Sequence, residues 1–170
     1  MNISDVERDA LYKVIYARRD VRREFLDKPI ADDVLARILS AGHHAPSVGF
    51  MQPWDFILVS NIQRKQKVLA AFQKANQEAA QLFTDERKAA YKALTLQGIM
   101  QAPLNILVTC NRKRGGEVVL GKTHQPDMDL YSCVCAIQNM WLASRYEEIG
   151  MGWVSIIDPQ ALQKLFSLPQ

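Results

Sequence analysis

With 170 residues, 48% of them hydrophobic and 23% charged, the chain can bury a sizeable core without disulfides or metal and is expected to form one domain over 1–170. Lysine and arginine exceed aspartate and glutamate by 21 to 18, a formal net charge of +3, too mild a surplus to argue for nucleic acid. The opening Met-Asn-Ile-Ser-Asp-Val-Glu is polar, no apolar run approaches the roughly 18 residues of a membrane helix, and three cysteines are an odd number without scaffold spacing; no membrane partner is expected, and the cytoplasm is the default location.

Ser4 with Glu7 is a capping-box pattern, and Val6, Ala10, Leu11, Val14 and Ile15 then recur at helical spacing on one apolar face. That helix runs into Arg18-Arg19-Asp20-Val21-Arg22-Arg23, a basic loop or edge. A second helix follows Pro29, with Val34, Leu35, Ile38 and Leu39 inward and Gly42 as its stop. Residues 43–53 hold two prolines and a glycine and read as a shaped loop, and Phe56–Val59 reads as a buried strand. Residues 62–100 read as helical with a break at 83–85, and Leu104–Cys110 as a second buried strand. A polar loop over 111–126 leads to a long helix over 127–148 with Val134, Ile137, Trp141 and Leu142 as its inner face. Gly150 and Gly152 frame a turn into a third strand, Trp153–Ile157, and Asp158 caps a last helix with Pro159 in its first position. The order αα-β-αα-β-α-β-α describes an α+β or α/β domain without repeats.

Two segments carry the chemistry. Arg18, Arg19 and Arg22 offer three guanidiniums within five residues around Asp20 and Val21, forked donors that match phosphate oxygens as lysine cannot; the alternative is a solvated basic patch. In the loop from His43 to Trp54, Pro46 and Pro53 fix the ends and Gly49 lets a backbone N–H approach a ligand unobstructed. Such a loop suits a planar heteroaromatic ring, or serves merely as a helix-to-strand connector. The adjacent histidines, His43 and His44, lack a nearby third ligand, so no metal is expected.

Other motifs fail on context. Gly116–Thr123 fits G-x-x-x-x-G-K-[ST] letter for letter, yet it does not leave a strand or open a helix, and its Val-Val-Leu interior suits a phosphate cradle poorly. Gly150-Met151-Gly152 precedes a strand where a dinucleotide fingerprint follows one. Cys133 and Cys135, two apart on a helix, face different directions and read as structural. Ser155 in its apolar strand is either a tolerated small residue or a hydroxyl aimed into a pocket.

Taken together, the arginine cluster, the Pro-Ser-Val-Gly-Phe-Met-Gln-Pro-Trp loop and the late Gly-Met-Gly-Trp resemble nitroreductase-like flavoproteins. The wording RRDVRREF, HHAPSVGFMQPWDF, VTCNRKRGGEVVLGKTHQPDMDLYS and GMGWVSI resembles the flavin-destructase branch of that superfamily, the 5,6-dimethylbenzimidazole synthases, nearly throughout. The resemblance implies an α+β, nitroreductase-like fold: a central mixed or antiparallel sheet flanked by helices, with a helical lid at about 73–100, in a homodimer binding FMN at the subunit interface. It implies that Arg18, Arg19 and Arg22 hold the FMN phosphate and ribityl chain, with Asp20 and Val21 also contacting FMN. Ser47 and Gly49 would line the isoalloxazine, Leu96 would touch it from the lid, and Asp20 and Ser155 would be catalytic.

By the same resemblance, reduced FMN is the substrate and dioxygen the co-substrate. The products are 5,6-dimethylbenzimidazole, the lower base of cobalamin, and erythrose 4-phosphate, and a separate flavin reductase supplies the reduced FMN. Relatives continue some tens of residues beyond Gln170, so the C-terminus reads as truncated relative to that family. The alternatives are an NAD(P)H-dependent nitroreductase or flavin reductase on the same fold, and a truncated flavin binder without turnover.

Overall fold

The computed structural model of the chain describes residues 2–92 and 96–169. It divides into two compact units, one of residues 1–20, 30–58 and 106–151, the other of residues 21–29, 59–105 and 152–170.

In the first unit, α1 (Asp5–Ala17) starts at the expected capping box: the Glu7 N–H donates to Ser4 Oγ at 3.3 Å and the Ser4 N–H to Glu7 Oε2 at 2.8 Å. Its apolar face is not covered by the rest of the described chain: Val6 is 79% exposed and Leu11 53%, and no residue of the helix is buried. α2 (Asp32–His43) turns Ile38 inward as its pattern requires. Gly42 lies inside its last turn rather than stopping it. A Cβ there would stand 2.6 Å from Met140 Cγ and 3.1 Å from Phe56 Cζ, so this glycine lets α2 close onto α6 (Met128–Tyr146).

β1 (Trp54–Val59) and β2 (Asn105–Cys110) form a two-stranded sheet among the described residues. The Asn111 N–H donates to the Pro53 carbonyl at 2.7 Å and Thr109 Oγ1 to Asp55 at 3.3 Å; the partners step in opposite senses, so the pair is antiparallel. Trp54, Ala45, Cys133 and Ala136 make the core, with Phe56, Val108 and Cys110 packed against it. The inner face of α6 differs from the expected one. Asp129, Ser132, Cys133, Ala136, Met140, Trp141 and Ser144 are buried, whereas Val134 is 46% exposed. The helix is apolar on several sides, and its buried stripe is partly polar because its polar groups find partners: Asp129 on the preceding loop, Ser132 at the Val48 N–H and the Met128 carbonyl, and Ser144 at the Met151 sulfur.

The second unit is built on α3 (Ile62–Ala80), α4 (Asp85–Lys92), α5 (Gly98–Gln101) and α7 (Pro159–Leu165). The helical run breaks after Ala80, as read. Asp158 caps α7 by accepting the Gln160 N–H at 2.9 Å, with Pro159 in the first turn. Lys65 of α3 is 4% exposed and donates to the carbonyls of Ala102 at 2.5 Å and Pro103 at 3.2 Å, satisfying acceptors at the end of α5. Burial pushes its pKa down, with partial compensation from the Asp27 charge. The expected third strand does not form: residues 153–155 are irregular and 156–157 a bend, with Trp153 40% and Val154 38% exposed. An apolar run becomes a strand only where a neighbour completes its ladder, and none does so among the described residues.

Candidate functional site

The first unit carries the start of the arginine cluster at the end of α1. Arg18 caps that helix, its N–H donating to the Val14 carbonyl at 3.0 Å. Its guanidinium lies 4.6 Å from the ring centroid of Trp141, whose Nε1–H donates to the Arg19 carbonyl at 3.3 Å. The guanidinium of Arg18 has no hydrogen-bond acceptor among the described residues. Arg19 is used differently: Nη1 folds back onto the carbonyls of Tyr16 at 2.7 Å and Arg18 at 2.8 Å, capping the negative end of α1. Asp20 is exposed at the end of this segment.

The loop after α2 is held by its own side chains. Ser47 Oγ accepts the Gln52 N–H at 3.0 Å, and the Val48 N–H donates to Ser132 Oγ at 3.1 Å. Those of Phe50 and Met51 go to the carbonyls of Ser47 and Val48 at 3.2 and 3.0 Å. Gly49 is exposed, and its N–H has no acceptor among the described residues. The backbone is left-handed at Gly49 (φ 53°), Phe50 (51°) and Gln52 (43°), a concentration of strain typical of ligand-contacting segments. A Cβ at Gly49 would lie 2.5 Å from Val119 Cγ1 and 3.1 Å from the Leu120 carbonyl oxygen, so glycine here makes room for the chain's own 119–120 segment.

That segment belongs to the GKT look-alike, and its lysine has a structural partner. Lys122 Nζ donates to the Arg112 carbonyl at 2.9 Å and pairs with Asp129, which is fully buried at the start of α6. Arg112 adds Nε to Asp129 at 3.1 Å and Nη2 to Asp127 at 2.7 Å. Burial opposes ionisation of Asp129, but hydrogen bonds from Lys122 and the Leu130 N–H, with the Arg112 and Lys122 charges, outweigh it and hold the carboxyl below its ordinary value. Arg114 pins the other side through Asp55, with both contacts at 2.7 Å, and the carbonyls of Gln52 and Trp54, each at 2.8 Å. These clamps were not singled out from the sequence. The available signal was a cationic loop ending one turn before an acidic helix start.

His43 Nδ1 accepts the Trp54 Nε1–H at 3.4 Å, and His44 Nδ1 meets the Ser40 carbonyl at 2.7 Å. No three histidine, cysteine or acidic side chains gather for a metal among the described residues. Cys133 is buried and Cys135 exposed, as their spacing requires. Burial pushes the Cys133 thiol up to about 12, helped by the Cys110 sulfur beside it.

The second unit holds Val21, half-buried, and Arg22, exposed. The Gly98 N–H donates to the Arg22 carbonyl at 3.2 Å, and a Cβ on Gly98 would fall 2.7 Å from the Phe25 ring. That contact brings Arg22 to Gly98, two positions after the half-buried Leu96. Ser155 is exposed in a cleft of about 650 Å3 that is also lined by Glu78, Tyr91 and Asp158. Of the segment read as a lid, 93–95 lie outside the described residues.

The nitroreductase family profile matches residues 15–170. A 5,6-dimethylbenzimidazole synthase of Rhodospirillum rubrum is 38% identical over 95% of this chain and 76% of its own. One of Rhodobacter capsulatus is 39% identical over 99% and 81%. A putative NADH dehydrogenase/NAD(P)H nitroreductase of Archaeoglobus fulgidus is 29% identical over 93% and 76%. Among solved structures, iodotyrosine deiodinase bound to FMN and 3-iodo-L-tyrosine superposes with a TM-score of 0.77 at 21% identity, covering 94% of this chain and 82% of that one. A Bacteroides fragilis nitroreductase with bound FMN reaches 0.66 at 27% identity over 94% and 80%. The fold is therefore nitroreductase-like, and the chain belongs to the nitroreductase family, among its 5,6-dimethylbenzimidazole synthases.

Proposed function

We propose that this protein is a 5,6-dimethylbenzimidazole synthase, an oxidoreductase that fragments FMN for the lower ligand of cobalamin. The observation that carries this reading is identity of 38–39% to synthases across 95–99% of the chain. Reduced FMN is the substrate, dioxygen the oxidant, and 5,6-dimethylbenzimidazole and erythrose 4-phosphate the products.

The residues present fit a flavin phosphate ester. Arg18 offers guanidinium donors without an internal acceptor, and Gly49 offers one amide on a loop whose neighbouring amides are satisfied. In this reading Arg18 and Arg22 grip the phosphate, Arg19 shapes the corner that presents them, and Asp20 and Val21 contact the ribityl chain. Ser47 shapes the loop whose Gly49 amide faces the ring edge, and Leu96 contacts the ring. Asp20 is the acid/base for the proton transfers of fragmentation, and the Ser155 hydroxyl assists beside oxygen. Residues 73–100 act as a lid that keeps bulk water from the reaction, within one functional domain spanning 1–170.

The protein works as a cytoplasmic homodimer fed by a separate flavin reductase. The uncovered apolar face of α1, with Val6 79% and Tyr12 49% exposed, supports association, and three unpaired cysteines support a reducing compartment. A second reading, an NAD(P)H-dependent nitroreductase, is favoured by the Archaeoglobus relative at 29% identity. Aerobic incubation with reduced FMN separates them. The synthase reading predicts dimethylbenzimidazole by chromatography and its loss in Asp20→Asn. Recovery of intact oxidised FMN alone refutes it, and steady NAD(P)H consumption with a nitroaromatic would establish the second reading. Tight FMN binding without either product would leave a flavin binder that does not turn over.

A further inference from the structure

We infer that Trp141 is a positioning residue that presents Arg18 to the phosphate of FMN, and so makes this protein select FMN over riboflavin. The inference rests on the functional reading above and deepens it.

Two adjacent arginines end α1, and the structure gives them opposite assignments. Arg19 spends Nη1 on the carbonyls of Tyr16 and Arg18, at 2.7 and 2.8 Å. Arg18 instead places its guanidinium carbon over the Trp141 ring, 4.6 Å from the centroid. The ring's π face attracts the cation without using a hydrogen-bond acceptor. The N–H donors of Arg18 therefore stay available for a phosphate, and no acceptor among the described residues takes any of them.

Trp141 can serve as a platform because it is itself fixed. It is 9% exposed on α6, and its Nε1–H donates at 3.3 Å to the Arg19 carbonyl, the residue next to the one it carries. One indole thus sets the backbone of the corner through its nitrogen and the side chain of Arg18 through its face. The guanidinium is ordered before any anion arrives, which removes part of the ordering cost of binding. The beneficiary is a phosphate ester. The sugar and ring of a flavin gain nothing from this contact, so the effect of Trp141 must appear in the preference for FMN over riboflavin rather than in flavin affinity as such.

The test is fluorescence titration of the full chain with oxidised FMN and with riboflavin. Trp141→Leu is expected to weaken FMN binding about tenfold while leaving riboflavin binding unchanged, and Trp141→Phe, which keeps an aromatic face, to retain most of the preference. Arg18→Ala should lose the preference as well, and adding Trp141→Leu to it should weaken FMN no further. Equal losses for both flavins in Trp141→Leu, or losses that add in full in the double variant, would overturn the inference. Should Trp141→Leu fold poorly, Arg18→Lys decides at a half-buried position: lysine keeps the charge without the forked guanidinium, and an unchanged FMN preference overturns the proposal. Wild-type protein that binds FMN and riboflavin equally refutes the role of Trp141 and leaves flavin binding standing, whereas protein that binds neither refutes both.

Discussion

Asp129→Asn isolates the buried carboxylate that fastens the 111–127 loop to α6. Asp129 is fully buried, Lys122 is 18% exposed and Arg112 45%. The Arg112 contact is half in solvent and contributes little, on the order of 0–1 kcal/mol. The Lys122 contact dominates: a hydrogen bond between charged groups contributes roughly 1.5–3 kcal/mol, and its loss here leaves a largely buried ammonium facing a neutral amide. The variant should therefore lose about 2–3 kcal/mol at pH 7, a fall in Tm of about 4–12 °C for a domain of this size.

The pH dependence gives the same prediction a sign. The folded carboxyl of Asp129 titrates below its ordinary value, so its stabilisation is fully present above the unfolded pKa of about 3.9. It is lost as pH falls through the lower, folded pKa. The gap between wild type and Asp129→Asn in urea unfolding should stay constant from pH 7 to about 5 and close below about pH 4. A gap under about 0.5 kcal/mol at pH 7, or one that survives full protonation, would show that the ion pair does not hold the loop. Because Val119 and Leu120 of this loop pack on Gly49, the same variant should weaken FMN binding at neutral pH.

Gly49→Ala should cost about 1–2 kcal/mol from its left-handed backbone alone, with more from a Cβ 2.5 Å from Val119. Adding Val119→Ala should restore the steric share and leave the strain, read by denaturant unfolding. Lys65 has a folded pKa below the unfolded value of about 10.4. The cost of burying its charge is present below the folded pKa and relieved as pH rises toward the unfolded one. Wild type should thus gain stability over Lys65→Met as pH rises toward about 10.4, and the opposite trend would contradict the assignment. Of the three thiols, Cys135 alone is exposed. A disulfide reagent should consume one equivalent in native protein, and none in Cys135→Ser; rapid reaction of Cys133, pushed up to about 12, would contradict its burial.

Local pattern was enough where local physics decides. The Ser4–Glu7 box, the Asp158-Pro159 start and the two strands beside Pro53 and Pro103 formed where expected because caps, prolines and short β-rich runs carry their own instructions. Residues 153–157 show the limit: apolar character selects an extended chain, but a strand needs a partner, which period and composition do not name. The limits of periodicity show on two helices. Periodicity shows that α1 has an apolar face, not what covers it. On α6 it pointed to Trp141, which is buried, but also to Val134, because the inner face holds Asp129, Ser132 and Ser144, polar residues that periodicity alone assigns outward.

Residue types were enough to propose a site, but not the division of labour among its residues. Three arginines and a proline-bounded glycine loop announce a phosphate and a planar ring, since few other side chains supply forked donors or an unobstructed amide. Arg18 and Arg19 are identical in sequence terms, and only the fold separates them. A helix end needs its carbonyls capped, and the arginine that caps cannot also present its full fork. The Arg18 guanidinium lies 4.6 Å from the Trp141 ring centroid, while Arg19 folds back onto the helix end. Trp141, which also donates to the Arg19 carbonyl, lies 122 positions further along the chain, on a helix whose sequence reads only as core. A motif can therefore propose a ligand while the residues that shape its side chains lie outside it.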